Sequence, residues 1–430
     1  MPRPNRRVGL KCLPPSSPSP PSLPLVHQSQ KERGSGAAMR AGTTAPRRGV
    51  GGPRGRAPGW TGRRAALAAG RTRAKAVERT RTRANPSVGV EAEAGPLAQL
   101  AGMTTLSVDT GDLATVRRLV GTGLVTDATT NPLFVSQAGQ SGDAAYQALV
   151  DEAVVYAVET EEDPAQRVAL AVDRLAVNLG AAISREVPGY VSTEVNIYLS
   201  YDAAKMHLYA CRMLAMYKEL GVDTSRVLIK LPGTWAGIQA AKKLEAYGYK
   251  TNITLVFGFT QAVAAAQAGA HLISPFPGRE WHKANAGHPE VSAPEDDPGV
   301  LAVKRMHAYF KKYGYETICM PASWRSPTGE DPLDEVLALA GVDRMTIPPA
   351  LLDDLAGRSL RVERKLSPEQ GAAECADPRW GDLDEQTFAW NLAMEGAATD
   401  KLGAGLRAFA EDTDKLTAIL RAHPAMDLSS

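Results

Sequence analysis

The chain has 430 residues, 44% hydrophobic and 22% charged, with a formal net charge of +2. That length exceeds what one ordinary core needs, and the near-neutral balance excludes a chain that is basic or acidic throughout. The balance averages two unlike parts: residues 1–90 hold 19 Lys+Arg against 2 Asp+Glu (+17), and the other 340 residues hold 30 against 45 (−15).

Residues 1–90 are rich in Arg, Ser, Pro, Ala and Gly, with Glu32 and Glu78 as their only acids. They contain no apolar core of a secretory signal. An arginine-rich, serine-rich, acid-poor start has the pattern of an organellar transit peptide, expected to be disordered. The competing reading is a basic nucleic-acid-binding arm. Trp60 is the only aromatic residue in it, so a stacking surface is lacking and no nucleic-acid partner is expected. The leader suits the plastid stroma (chloroplast), with the mitochondrion as the alternative. Cleavage is expected between about Arg83 and Gly95.

Cys12, Cys211, Cys319 and Cys375 are scattered, with no CxxC spacing, which fits a reducing compartment. There is no HExxH. His282 and His288 share a loop-like stretch, and no metal and no cofactor are expected. The most apolar window, Leu255 to Ile273, is alanine-rich and holds Gln261, Gln267 and His271. It reads as strand–helix–strand rather than a membrane span.

Residues 97–430 form the folded part. Apolar, β-branched runs predict strands at Thr104–Val108, Leu124–Ala128, Gly189–Val195, Arg226–Leu231, Lys250–Phe257, His271–Phe276, Thr317–Ala322 and Arg344–Ile347. Amphipathic stretches between them predict helices at Ala144–Glu159, Pro164–Leu179, Ala203–Leu220, Ala236–Ala246, Gln261–Gly269, Val300–Tyr313 and Leu333–Ala340. Strand–helix alternation implies an α/β fold with a parallel sheet. Eight repeats in about 250 residues fit a (β/α)8 TIM barrel. A doubly wound sheet is the alternative, but no GxGxxG follows an early strand. The tail, residues 383–423, reads as additional C-terminal helices. Leu402, Leu406, Phe409, Leu416, Ile419 and Leu420 give it an apolar face to pack on the barrel.

The fourth strand, RVLIKLP, places Lys230 among apolar residues. Lysine is almost never fully buried unless paired, and burial disfavours the ammonium and makes the amine a usable nucleophile. In a barrel, active sites lie at the C-terminal ends of the strands. Those ends carry Asp109, Asn131, Thr193 and Glu194, Lys230, Asn252 and Thr254, Ser274 with Arg279, and Ser323 with Arg325. Singly each has a bland reading: a turn, a satisfied core hydroxyl, a solvated arginine. A lysine and a glutamate at one pole are harder to dismiss, because inward-facing charges need each other or a ligand.

These residue types suit imine catalysis. A neutral lysine attacks a ketose carbonyl, and the protonated imine accepts the electrons of a breaking C–C bond. Asp109 and Glu194 are two carboxylates to divide the proton transfers. Asn131, Asn252 and Ser274 suit sugar hydroxyls, and Arg279 and Arg325 suit a terminal phosphate.

Taken in order, DTGDL, DATTNP, VSTEV followed by LSYD, RVLIKL, TNITLVF, LISPFPGR, PASWR and DRMTIPPALL resemble the successive motifs of the transaldolases, from about Leu106 to about Leu420. The resemblance implies a class I aldolase barrel in the pentose phosphate pathway. It would move a dihydroxyacetone unit from sedoheptulose 7-phosphate or fructose 6-phosphate to glyceraldehyde 3-phosphate or erythrose 4-phosphate. It implies that Lys230 forms the Schiff base and that Asp109 is the acid/base at the C4 hydroxyl. Glu194 and Thr254 would hold a catalytic water. Asn131 and Asn252 would bind the dihydroxyacetone hydroxyls, and Arg279, Ser323 and Arg325 the phosphate, with Ser274 in the SPFxGR motif. Asn196-Ile197-Tyr198 stands where the resemblance leads one to expect Asp-Ala-Arg, Trp324 where Phe is expected, and Pro321 where Gly is expected. The expected partners are sugar phosphates, with no membrane, and a homodimer is the assembly kept in view. The alternatives are a fructose-6-phosphate aldolase-like lyase that releases dihydroxyacetone, and a non-catalytic sugar-phosphate-binding barrel.

Overall fold

The structure, a computed structural model, describes residues 94–278, 291, 293–326 and 331–426. The leader (residues 1–90), Arg279, His282 and His288 lie outside the described residues.

All eight expected strands are present: β1 Thr105–Asp109, β2 Val125–Thr129, β3 Val191–Glu194, β4 Val227–Pro232, β5 Thr251–Val256, β6 Leu272–Pro275, β7 Ile318–Cys319 and β8 Arg344–Ile347. They pair in parallel in the order β7-β6-β5-β4-β3-β2-β1-β8, as expected when each strand returns through a helix. The seam between β7 and β8 is closed outside regular pairing. Thr346 N donates to Pro321 O at 3.2 Å, and Trp324 Nε1 donates to Thr346 O at 2.7 Å. The result is a TIM barrel.

The strand sequences explain which side chains face inward. Val227, Ile229 and Leu231 join the main core, under the helices. Leu228, Leu272 and Met320 form a separate small cluster, which is the filling of the lumen. With a side-chain period of two, Lys230 shares the inward face of Leu228.

Helices begin where a short polar side chain satisfies their free N–H groups. Asp112, Asp163, Asp202 and Thr234 cap Leu113–Val120, Pro164–Glu186, Ala203–Glu219 and Trp235–Ala246. The seven expected helices are present; Pro164–Glu186 runs seven residues past its expected end at Leu179, and the others shift by one or two residues at their ends. Pro96–Ala101, Leu113–Val120, Pro132–Gln140, Pro349–Gly357 and Pro368–Glu374 are additional.

The tail folds as Glu385–Met394 and Gly396–Arg421. The second helix packs on Pro132–Gln140, on Pro164–Glu186 and on β5. Leu402, Phe409, Leu416 and Leu420 are buried along it, and Leu406 is partly buried. Close approach depends on Gly405, where a Cβ would stand 2.8 Å from Leu255 Cδ2. Its first turn is tied to the barrel by Glu395, whose Oε1 accepts from Thr260 N and Oγ1 at 3.0 and 2.8 Å.

Candidate active site

Register places the central residues at one level. Glu194 on β3 pairs with Lys230 on β4, and Lys230 pairs with Asn252 on β5. All three are buried. Lys230 Nζ stands 3.3 Å from Glu194 Oε2 and donates to Thr130 O at 3.2 Å. The Phe409 ring, from the C-terminal helix, has its centroid 5.8 Å from Nζ.

Burial drives the Glu194 carboxyl up to about 7, with Lys230 opposing the shift. Apart from the Lys230 ammonium beside Oε2, neither Glu194 oxygen has a hydrogen-bond partner among the described residues, nor has Thr254 Oγ1 one level higher. Buried polar groups are normally satisfied, so these atoms are open to a substrate hydroxyl or a water. A cavity of about 30 Å³ beside Glu194 is lined by polar residues, among them Thr130, Asn131, Asp173 and Thr413, and equally by apolar ones of Pro132–Gln140, Pro164–Glu186 and the C-terminal helix; it has room for a water.

Asp109 ends β1 and is partly buried. Its carboxyl is raised by burial, against the opposing charge of Lys230 and the Thr129 hydroxyl. Thr129 Oγ1 donates to Asp109 Oδ1 at 2.7 Å and lies 2.7 Å from Thr346 Oγ1. A polar chain also runs behind Lys230: Ser274 Oγ donates to Asn252 Oδ1 at 2.9 Å, and Asn252 Nδ2 donates to Ser192 Oγ at 3.3 Å. Asn131 caps Pro132–Gln140 by accepting Phe134 N at 3.1 Å, and its side chain borders the cavity.

Among the described residues, two non-glycine residues have positive φ, Leu255 at 56° and Ser323 at 64°. Both are next to candidate site residues, where strained backbone tends to gather. Leu255 sits where the β5–β6 register shifts, just after Thr254. Ser323 opens the loop that carries Arg325, which is exposed on the rim. Arg325 N is held by Glu335 Oε2 at 2.7 Å, and its Nη1 donates to Trp324 O at 2.5 Å.

The structure thus gathers Lys230, Glu194, Asp109, Asn252 and Ser274 inside the mouth, with Asn131 and Thr254 beside them and Ser323 and Arg325 on its edge. Thr193 faces away, bonded to Tyr217 of the helix layer. Trp324, which stands where the resemblance leads one to expect Phe, is buried and bonds β8. Tyr198 reaches the C-terminal helix, donating from its hydroxyl to Asp414 Oδ1 at 2.8 Å. Residues missed from sequence are Thr129, Thr130, Ser192 and Thr346, which alternate on inward strand positions or their ends, and Phe409 and Thr413. For the last two the apolar face of the tail was the only signal.

A parallel barrel with a buried lysine and two carboxylates at its C-terminal mouth has the form of an enzyme. The sequence profile described as transaldolase/fructose-6-phosphate aldolase matches residues 106–420. The chain is 42% identical over 331 residues to a transaldolase of Shewanella oneidensis, covering 76% of this chain and 98% of that protein. It is 42% identical over 328 residues to one of Edwardsiella ictaluri (76% and 98%) and 43% identical over 322 residues to one of Photorhabdus laumondii (74% and 96%). The chain belongs to the transaldolase/fructose-6-phosphate aldolase family, and it is an enzyme of the transferase class.

Proposed function

We propose that this chain is a Schiff-base transaldolase that moves a dihydroxyacetone unit from a ketose phosphate to an aldose phosphate. The names of its relatives support the activity. The observation that carries the mechanism is the buried Lys230 amine, 3.3 Å from a carboxylate whose affinity for protons burial has raised.

Glu194 takes the proton that leaves the amine, so that Lys230 attacks the ketose C2 carbonyl. Water leaves from the resulting carbinolamine and the protonated imine forms. Asp109 then removes the C4 hydroxyl proton. The C3–C4 bond breaks, its electron pair enters the iminium to give an enamine, and the C4 side departs as an aldehyde. An acceptor aldehyde takes its place. The enamine carbon attacks it, and Asp109 returns the proton to the new alkoxide; water then adds to the iminium carbon, the C–N bond breaks, and the new ketose phosphate leaves with the Lys230 amine restored. Asn131, Asn252 and Ser274 hold the hydroxyls of the three-carbon unit, Thr254 with Glu194 holds the water, and Arg325, Ser323 and Arg279 receive the phosphate.

The test is incubation with fructose 6-phosphate and borohydride, followed by mass spectrometry. A three-carbon adduct on Lys230 is expected. Full transfer activity in Lys230→Ala would sink the mechanism. Product measured with and without an acceptor aldehyde separates transfer from release of free dihydroxyacetone.

The donors, the place in the pentose phosphate pathway and the plastid location are part of the same proposal. The acid-poor, arginine-rich composition of residues 1–90 supports the location. A fusion of residues 1–95 to a fluorescent protein is expected to enter plastids, and cytosolic fluorescence would overturn it.

A further inference from the structure

Beneath Ser323 and Arg325 lies a carboxyl group that the mechanism does not use. Glu335, on the helix Asp334–Ala338, is fully buried. Its Oε2 accepts the Arg325 main-chain N–H at 2.7 Å. On the other side of this contact runs the loop after β6. A Cβ at Gly278 would lie 2.4 Å from Arg325 N, 2.6 Å from Ser323 O and 2.8 Å from Glu335 Oε2. The two loops therefore meet at the width of a glycine, with the Glu335 carboxyl as the pin between them. The turn it holds is the strained one, with Ser323 at φ 64°.

We propose that Glu335 is a positioning residue for the phosphate end of the substrate, and that it does this work as a neutral acid. The proposal rests on the phosphate role given to Ser323 and Arg325 above. A carboxyl that fixes the Arg325 main chain fixes where the guanidinium starts from. A full negative charge at the same place would stand directly behind a bound phosphate and weaken it.

The charged neighbours agree with a neutral group. Asp297, the buried N-cap of Pro298–Tyr313, and Asp334 both oppose ionisation, whereas Arg325 and the Arg325 N–H favour it. Burial is the largest influence, and the carboxyl is driven up to about 8. Glu335 Oε1 has no hydrogen-bond partner among the described residues, which an ionised oxygen would tolerate poorly.

The test compares KM and kcat for fructose 6-phosphate and for fructose, from pH 6.5 to 9.5, in the wild type, Glu335→Gln and Glu335→Ala. For the wild type, KM for fructose 6-phosphate is expected to rise several-fold as pH passes 8, with kcat and the fructose constants following no such step. Glu335→Gln keeps the acceptor and cannot ionise, so its KM should stay flat across that interval. Glu335→Ala should raise KM for the phosphorylated donor at every pH. A wild-type profile that Glu335→Gln leaves unchanged would overturn the proposal, as would equal losses with fructose and fructose 6-phosphate. Should Glu335→Ala fail to fold, the Gln comparison still decides. The borohydride adduct on wild-type Lys230 is checked in the same preparations. Its presence with a flat profile removes the role of Glu335 alone, and its absence removes the underlying reading.

Discussion

Glu194 and Lys230 face each other across neighbouring strands at 3.3 Å, and among the described residues the carboxylate has no hydrogen-bond donor besides that amine. Two buried charges that satisfy each other so incompletely are poor stabilisers. They are well placed to exchange a proton.

Glu194→Gln removes the acceptor and keeps the shape. Turnover is expected to fall by about 10²–10⁴-fold, the usual worth of a positioned acid or base. Borohydride trapping should slow with it, because imine formation itself is affected. The pH profile gives the sign. Glu194 works as a base, so it must be ionised, and with its carboxyl at about 7 wild-type kcat/KM should fall as pH drops below about 7. That acid limb belongs to the coupled pair and should vanish in the variant. An unchanged limb would assign it elsewhere.

Asp109 acts one step later, so its removal should look different. In Asp109→Asn the amine still attacks the ketose, but the C4 proton has no acceptor. Transfer is expected to fall by about 10²–10⁴-fold, while the six-carbon imine accumulates. Mass spectrometry after borohydride should then find the whole sugar phosphate on Lys230 rather than a three-carbon remnant. Loss of all adduct in Asp109→Asn would place this carboxylate in imine formation instead.

Trp324 carries a structural prediction. Its indole N–H bonds Thr346 O across the β7–β8 seam, where regular strand pairing is absent. Trp324→Phe leaves that buried carbonyl without its partner, which costs about 1–3 kcal/mol. Urea unfolding should show the loss as a lower midpoint. Unaltered KM for fructose 6-phosphate would confirm that the side chain serves the seam and not the phosphate.

These residues also show what was legible in the sequence. The eight strands were readable because each is a short apolar run set between amphipathic stretches, and inward strand positions carry the polar residues of the mouth. Lys230, Glu194 and Asn252 could be read as neighbours for that reason. The role of Trp324 was not readable, since its partner is on another strand and the seam depends on Pro321 exposing a carbonyl to Thr346 N. Tyr198 reads as a departure in a motif, yet its partner Asp414 is 216 positions away. Gly278 and Glu335 meet where the loop after β6 and the turn at Arg325 close on the helix Asp334–Ala338, a packing no local pattern encodes.

The C-terminal helix supplies the last prediction. Phe409 is buried over Lys230, with its ring centroid 5.8 Å from Nζ. The helix that carries it is held by Glu395 at one end and by the Tyr198–Asp414 bond further along. An apolar ring over the amine keeps water from the enamine, which must survive until the aldehyde arrives. If the enamine carbon is protonated instead, water adds to the iminium carbon, the C–N bond breaks, and free dihydroxyacetone leaves with the amine restored. Phe409→Ala should therefore raise dihydroxyacetone release from fructose 6-phosphate without an acceptor by several-fold relative to transfer. Tyr198→Phe should shift the ratio the same way by less, because one tie remains. The measurement is release and transfer in parallel, each divided by the trapped Lys230. A ratio that stays constant while both rates fall would make Phe409 a packing residue only.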